Sequence, residues 1–285
     1  MAIIEFLQQF SHPVLKVIMR IISEFGNDIF FIVLGSVLFW LVDKKFALRL
    51  MIVFLFSAVL NGGLKDLIKS PRPYDEGAES FEPETPGYSM PSGHSQNIAV
   101  TSTMMIHNYA KIKWLKYIFI ALAVLVPFSR MYLGQHYLED VLAGLIIGFA
   151  LAIGLIVIFE KFPNNEDYIG LILAPIVLVF MIIFNNEQIY VAGGAYLGLI
   201  GGYYFEKRYV NYEIKAPFWI QILKVVIGLG VAFGIKEGVK PLLKLIGDYL
   251  FLDSIRYFLI ALWASLGAPA LFKAIFKEKK EPAID

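Results

Sequence analysis

Residues 141–159 read VLAGLIIGFALAIGLIVIF, nineteen uncharged and almost wholly apolar positions in succession. A helix rises 1.5 Å per residue, so roughly 20 such residues cross the hydrocarbon core of a bilayer. A surface helix of a soluble domain carries a polar stripe toward water, and this run has none. Outward from it in both directions the same texture returns. Apolar segments lie at about 26–43, 46–65, 93–110, 114–133, 136–159, 168–186, 188–205, 217–236 and 254–273. The pattern predicts an all-α, polytopic membrane bundle of about nine transmembrane helices. Composition agrees, since 58% of residues are hydrophobic and 17% charged, against about 25% charged in soluble domains. The chain has no cysteine, which removes disulfides, thiolate metal sites and cysteine nucleophiles. A net charge of +1 makes no case for nucleic acid.

Before the first span the pattern changes. Ile3, Ile4, Leu7, Phe10, Val14, Val17, Ile18, Ile21 and Ile22 recur at helical spacing with polar residues between them. This suits an amphipathic helix lying in the membrane interface, kinked or split by Pro13; a tilted, polar first span is the alternative. Glu5, His12, Lys16 and Arg20 interrupt what would be the apolar core of a signal peptide. Loop charge sets orientation. If the 43–45 loop is cytoplasmic, that face collects fourteen Lys and Arg, from Lys44 and Lys45 to Lys277, Lys279 and Lys280, against ten opposite. The positive-inside rule then places the C-terminal tail in the cytoplasm and the 66–92 loop outside.

Charges at span ends are costly and mark function, and here they form a pattern. The second span ends in Lys65, with Arg72-Pro73 beyond it. The third begins Pro91-Ser92-Gly93-His94, and the fourth and fifth meet at Ser129-Arg130, His136 and Asp140. The alternating topology brings all of these to one face. Three cations (Lys65, Arg72, Arg130) suit a group with two or more negative charges, and guanidinium forks match phosphate oxygens. Ser92 and Gly93 open a helix, where backbone N–H groups favour an anion. His136 and Asp140 are one turn apart, so Asp140 can hold one ring nitrogen and leave the other as nucleophile. His94, from another helix, can protonate a leaving oxygen and then activate water. His107, deep in the third span, reads as a buried hydrogen-bonding residue, and His12 as solvent-facing or at the headgroups. The loop acids Asp75, Glu76, Glu79, Glu82 and Glu84 lack EF-hand spacing and read as a solvated loop. No separate metal site is expected. Gly194, Gly198 and Gly202, four apart, read as a close helix contact.

Lys65-x6-Arg72-Pro73, Pro91-Ser92-Gly93-His94 and Ser129-Arg130-x5-His136-x3-Asp140 resemble the three signatures of type-2 phosphatidic acid phosphatases. The resemblance is complete at the signature positions and covers residues 65–140. It implies a helical core and cofactor-free, metal-independent hydrolysis of phosphomonoesters or diphosphates through phosphohistidine. By motif position it implies His136 as nucleophile, Asp140 as its orienting partner and His94 as acid/base. Lys65, Arg72, Ser92, Gly93 and Arg130 would form the phosphate cradle. Residues 1–162 read as this core with its N-terminal helix, and 163–285 as a C-terminal extension of about four spans. The extension departs from the smaller bacterial members; the nine-span plan is similar to glucose-6-phosphatase in span count alone. Three functions follow as expectations. The first is a phosphatase of lipid phosphates or diphosphates (polyprenyl diphosphate, phosphatidylglycerol phosphate or phosphatidate class) in a bilayer. The second is a phosphatase of a soluble ester such as a sugar phosphate. The third is a lipid-phosphate transporter or binding protein. The extension's role stays open between substrate groove, homo-oligomer surface and partner docking.

Overall fold

Pro13 divides the N-terminal segment as expected. In the computed structural model, which describes residues 1–247 and 249–276, α1 (Ala2–Gln8) stops short of it and α2 (Pro13–Glu24) starts on it. The His12 ring caps α2 through the N–H of Val14, at 3.3 Å. Proline at the first helical position sacrifices only an N–H that has no partner within the helix. Ile3, Phe6, Val14, Val17 and Ile21 face outward, while Ile4 and Met19 are buried. At Phe25–Asn27 the chain turns, and α3 (Asp28–Leu41) leaves at 47° to α2.

The remaining helices are α4 (Lys44–Ile68), α5 (Gly93–Asn108), α6 (Lys113–Tyr132), α7 (Leu138–Lys161), α8 (Glu166–Ile183), α9 (Glu187–Phe205), α10 (Phe218–Lys244), α11 (Leu250–Leu262) and α12 (Ala268–Ile275). A helix therefore stands at each of the nine expected segments, and no strand occurs among the described residues. Six described helices are long and apolar enough to cross a membrane, or seven if α2 and α3 together form one bent span. α3, α5 and α9 are shorter or less apolar, at 14, 16 and 19 residues. Lys277, Lys279 and Lys280 lie outside the described residues.

α4 is the central element because it is apolar around its whole circumference. In its most apolar window 83% of positions are buried, against 28% in α7 and 11% in α10, whose faces are left for lipid. α3, α5, α8 and α9 pack around α4. α9 and α11 come close because α9 offers glycine along one face. A Cβ on Gly194 or Gly198 would stand 2.1 or 2.2 Å from the carbonyl oxygens of Ser254 and Phe258, and one on Gly202 would stand 2.0 Å from Ser265 Oγ. The glycine spacing is thus a packing contact.

Charge stitches one end of the bundle. Buried Glu206 accepts from Lys44 Nζ at 3.0 Å and from Tyr212 N at 2.7 Å. Glu166 pairs with Arg49 and Lys45, and Asp167 with Lys207 and Arg208. Contrary to expectation, His107 is not buried: its side chain is 48% exposed and lies 3.0 Å from Glu160 at this same end. Near the end of a span, a histidine reaches the boundary and pairs there. The 69–92 and 133–137 segments close the opposite end, together with α1 and α2.

Candidate active site

The site is assembled by a loop folding back. Residues 69–92 leave α4 and return to α5, held by Ser89 N donating to Ser70 O at 2.9 Å. Within the loop Phe81 inserts among Met19, Tyr132 and Leu133, and its backbone N–H donates to Leu133 O at 3.0 Å. Arg20 of α2 donates to the Phe81 carbonyl, and Gln8 of α1 to the Glu79 carbonyl at 2.7 Å. The N-terminal helices thus form one wall of the site.

The structure brings the signature residues together. Arg72, 2% exposed, donates from Nε to Gly87 O at 2.9 Å and from Nη1 to the carbonyl of Gln135, beside His136, at 3.2 Å. Lys65 Nζ donates to Tyr88 O at 2.8 Å. Arg130, from the end of α6, reaches Ser23 Oγ at 2.7 Å and pairs with Glu82. Its Nε–H is buried without a hydrogen-bond partner among the described residues, a donor that an anion would satisfy. Burial holds His136 well below the ordinary histidine pKa, and the charges of Arg130, Lys65, Arg72 and His94 push it further down. The imidazole is therefore neutral at physiological pH.

The expected His136–Asp140 hydrogen bond is replaced by a relay through a third residue. His136 Nδ1 lies 3.5 Å from Asp140 Oδ2 but 3.2 Å from the Ser89 hydroxyl, which in turn donates to Asp140 Oδ2 at 2.5 Å. A serine hydroxyl has one hydrogen. With that hydrogen given to Asp140, Ser89 accepts from Nδ1–H, and Nε2 keeps the free lone pair. Asp140 is fully buried, also accepts from Tyr137 N at 2.8 Å, and its carbonyl accepts from Ser92 N at 3.0 Å. Ser92 N–H is therefore committed to α7 and not free for an anion, and the Ser92 hydroxyl caps Ser95 at the start of α5. Gly93 begins α5 beside Asn61. His94 sits beneath Gly26, where a Cβ would come within 2.8 Å of His94 Cβ.

Two participants escaped the sequence reading. Ser89 precedes the Pro91-Ser92-Gly93-His94 motif and reaches His136 only through the loop's return. Glu82 was grouped with solvated acids; four of the five are exposed, but the Glu82 side chain is only 15% exposed, against Arg130. Its neighbour Phe81, a large apolar residue among acids, was the available signal.

Family models match two parts of the chain: the PAP2 superfamily over residues 46–164, and the PAP2 superfamily phosphatase transmembrane extension over residues 190–280. The chain is 28% identical to sphingosine-1-phosphate phosphatase 1 of Rattus norvegicus over 55% of this chain and 39% of that protein. It is 30% identical to the undecaprenyl-diphosphatase of Sulfolobus acidocaldarius over 46% of this chain and 64% of that one. With phosphatidylglycerophosphatase B of Bacillus subtilis the identity is 31%, over 49% and 72%. The chain thus spans about two fifths of the length of the sphingosine-1-phosphate phosphatase. With its signature residues gathered at one end of a helical bundle and both family models matched in order, the chain belongs to the PAP2 superfamily of membrane phosphatases.

Proposed function

We propose that this protein hydrolyses a lipid phosphate or lipid diphosphate through a phosphohistidine intermediate. The observation that carries the reading is His136, whose Nδ1 meets the Ser89–Asp140 relay while Arg72 is held on the carbonyl of the adjoining Gln135. In the first step Nε2 attacks phosphorus while the bond to the leaving oxygen breaks and His94 gives that oxygen a proton. His94 then takes a proton from water, whose oxygen attacks phosphorus; the P–N bond breaks and orthophosphate leaves. Arg72, Arg130 and Lys65 stabilise the charge that grows on the equatorial oxygens. Ser89 and Asp140 hold the His136 tautomer and stabilise the imidazolium character of the phosphorylated ring. Ser92 and Gly93 shape the start of α5 at the cradle. No step draws on a metal.

The lipid assignment rests on the site's place at the end of membrane-crossing helices and on the lipid names of the relatives. Loop charge supports an extracytoplasmic site with the C-terminus inside, in the plasma (cytoplasmic) membrane. A division near residue 163 would separate catalytic core from extension. Purified protein in nanodiscs is to be given lipid phosphates and water-soluble esters, with and without chelator. Phosphate release favouring the lipids, insensitive to chelator and abolished in His136→Ala, is the expected result. Hydrolysis that survives His136→Ala refutes the mechanism, and preference for a sugar phosphate refutes the lipid assignment.

A further inference from the structure

Two cavities lie between the catalytic half and the extension, and they share walls. The first, about 500 Å³, is lined by Lys65, Gly87 and Tyr88 at one side and by α9 at the other. Lys65 belongs to the cation cluster, and the Gly87 carbonyl holds Arg72. The second, about 280 Å³, is mainly apolar and runs between α3, α4, α9, α10 and α11. Asp28, Ile32, Leu55, Val191, Ala195 and Tyr257 line both, so the two adjoin along a common wall. Their sizes fall near the range of ligand pockets, about 300–1,000 Å³. The first cavity is the more polar, with Lys65, Asn185, Asn186 and Glu187, and the second the more apolar, with Leu229 and Ala232 of α10, while Asp28 lies in both walls and Lys236 in the second. That is the gradient of an amphiphile with an anionic head.

We infer that the C-terminal extension supplies the binding groove for the hydrocarbon chain of the substrate, entered from the Lys65 side of the cradle. The inference rests on the reading of the site as a lipid phosphate hydrolase. It gives α9, α10 and α11 a task that the signature motifs, which end at Asp140, leave unassigned. A chain held here is fixed relative to its phosphate, which a fluid bilayer cannot do.

The probe is a long-chain alkyl phosphate with a diazirine at mid-chain, presented to the full-length protein in phosphatidylcholine nanodiscs. Label is mapped by peptide mass spectrometry after irradiation, and phosphate release from the same probe is followed in the dark. Label is expected in α9, α10 and α11, reduced several-fold by excess orthovanadate competing for the cations. Ala195→Phe and Ala232→Phe, on different helices, should each displace label from the groove and raise KM for the probe about tenfold, equivalent to ~1.4 kcal/mol. Label on the outer faces of α6 and α7, or label indifferent to vanadate, overturns the groove and means the chain stays among bilayer lipids. If the probe is hydrolysed while label falls elsewhere, the groove fails alone. If wild-type protein releases no phosphate from it, the lipid phosphatase reading fails and the groove falls with it.

Discussion

Ser89→Ala tests the relay that holds the nucleophile. The substitution removes one hydroxyl that donates to the Asp140 carboxylate at 2.5 Å and lies 3.2 Å from His136 Nδ1. Hydrogen bonds to charged groups contribute about 1.5–3 kcal/mol. The upper end should not be reached, because Nδ1 can still turn toward Asp140 Oδ2, 3.5 Å away, and Asp140 keeps the Tyr137 N–H. A loss of ~2 kcal/mol corresponds to a fall in kcat of about 30-fold. KM should hold within about twofold, since the phosphate cradle is built from other side chains and uniform binding is untouched. Steady-state phosphate release from a lipid phosphate gives both constants, and Asp140→Asn beside it should cost more, because it removes the charge behind the relay. A kcat within twofold of wild type would show that His136 is oriented by Asp140 alone. A change confined to KM would show that Ser89 contacts substrate instead.

Other consequences can be measured separately. Gly26→Ala places a methyl 2.8 Å from His94 Cβ and Val126 Cγ1; kcat should fall about ten- to a hundredfold, as a small displacement of a reacting group costs, and unchanged kinetics would remove His94 from the chemistry. The pKa of His136 in the substrate-free protein is lowered well below 6.5, so kcat/KM should show no limb from this ring as pH drops through 6.5 and decline on its account only further down; a His136-dependent limb centred at or above 6.5 contradicts the buried ring. The unfolded chain takes a proton near pH 6.5 that the folded site refuses, so stability should likewise fall as pH drops below that value. Gly198→Val drives a side chain against the Phe258 carbonyl, 2.2 Å from its Cβ, and should lower the thermal midpoint by the equivalent of about 1–3 kcal/mol. Gly201→Ala, whose Cβ meets nothing within 4 Å, is its control.

The parts legible in the sequence were those written locally. Apolar runs located the helices, and the alternation of the spans placed the charged ends, from Lys65 and Arg72 to Arg130 and Asp140, on one face. Pro13 marked a helix break because its ring has one acceptable position. Ser89 and Glu82 were opaque because their partners lie 47–51 and 48 residues away, reached only when Phe81 docks beneath α2. His107 misled because distance along a span was taken for depth, although α5 ends one residue later. The groove was hidden for another reason: Leu229 and Ala232 have the same chemistry as residues that face lipid.

Lys65, Arg72 and Arg130 already donate to oxygens of the protein itself: the carbonyls of Tyr88, Gly87 and Gln135, and the carboxylate of Glu82. On the proposed function, docking of a phosphate is therefore a swap of one set of oxygens for another, and its net attraction is much smaller than three bare cations would give. The same swap runs in reverse after hydrolysis. As orthophosphate departs, the loop's own acceptors regain the cations, so the product has internal competitors for each contact except the one to Arg130 Nε. A site built this way trades grip for turnover.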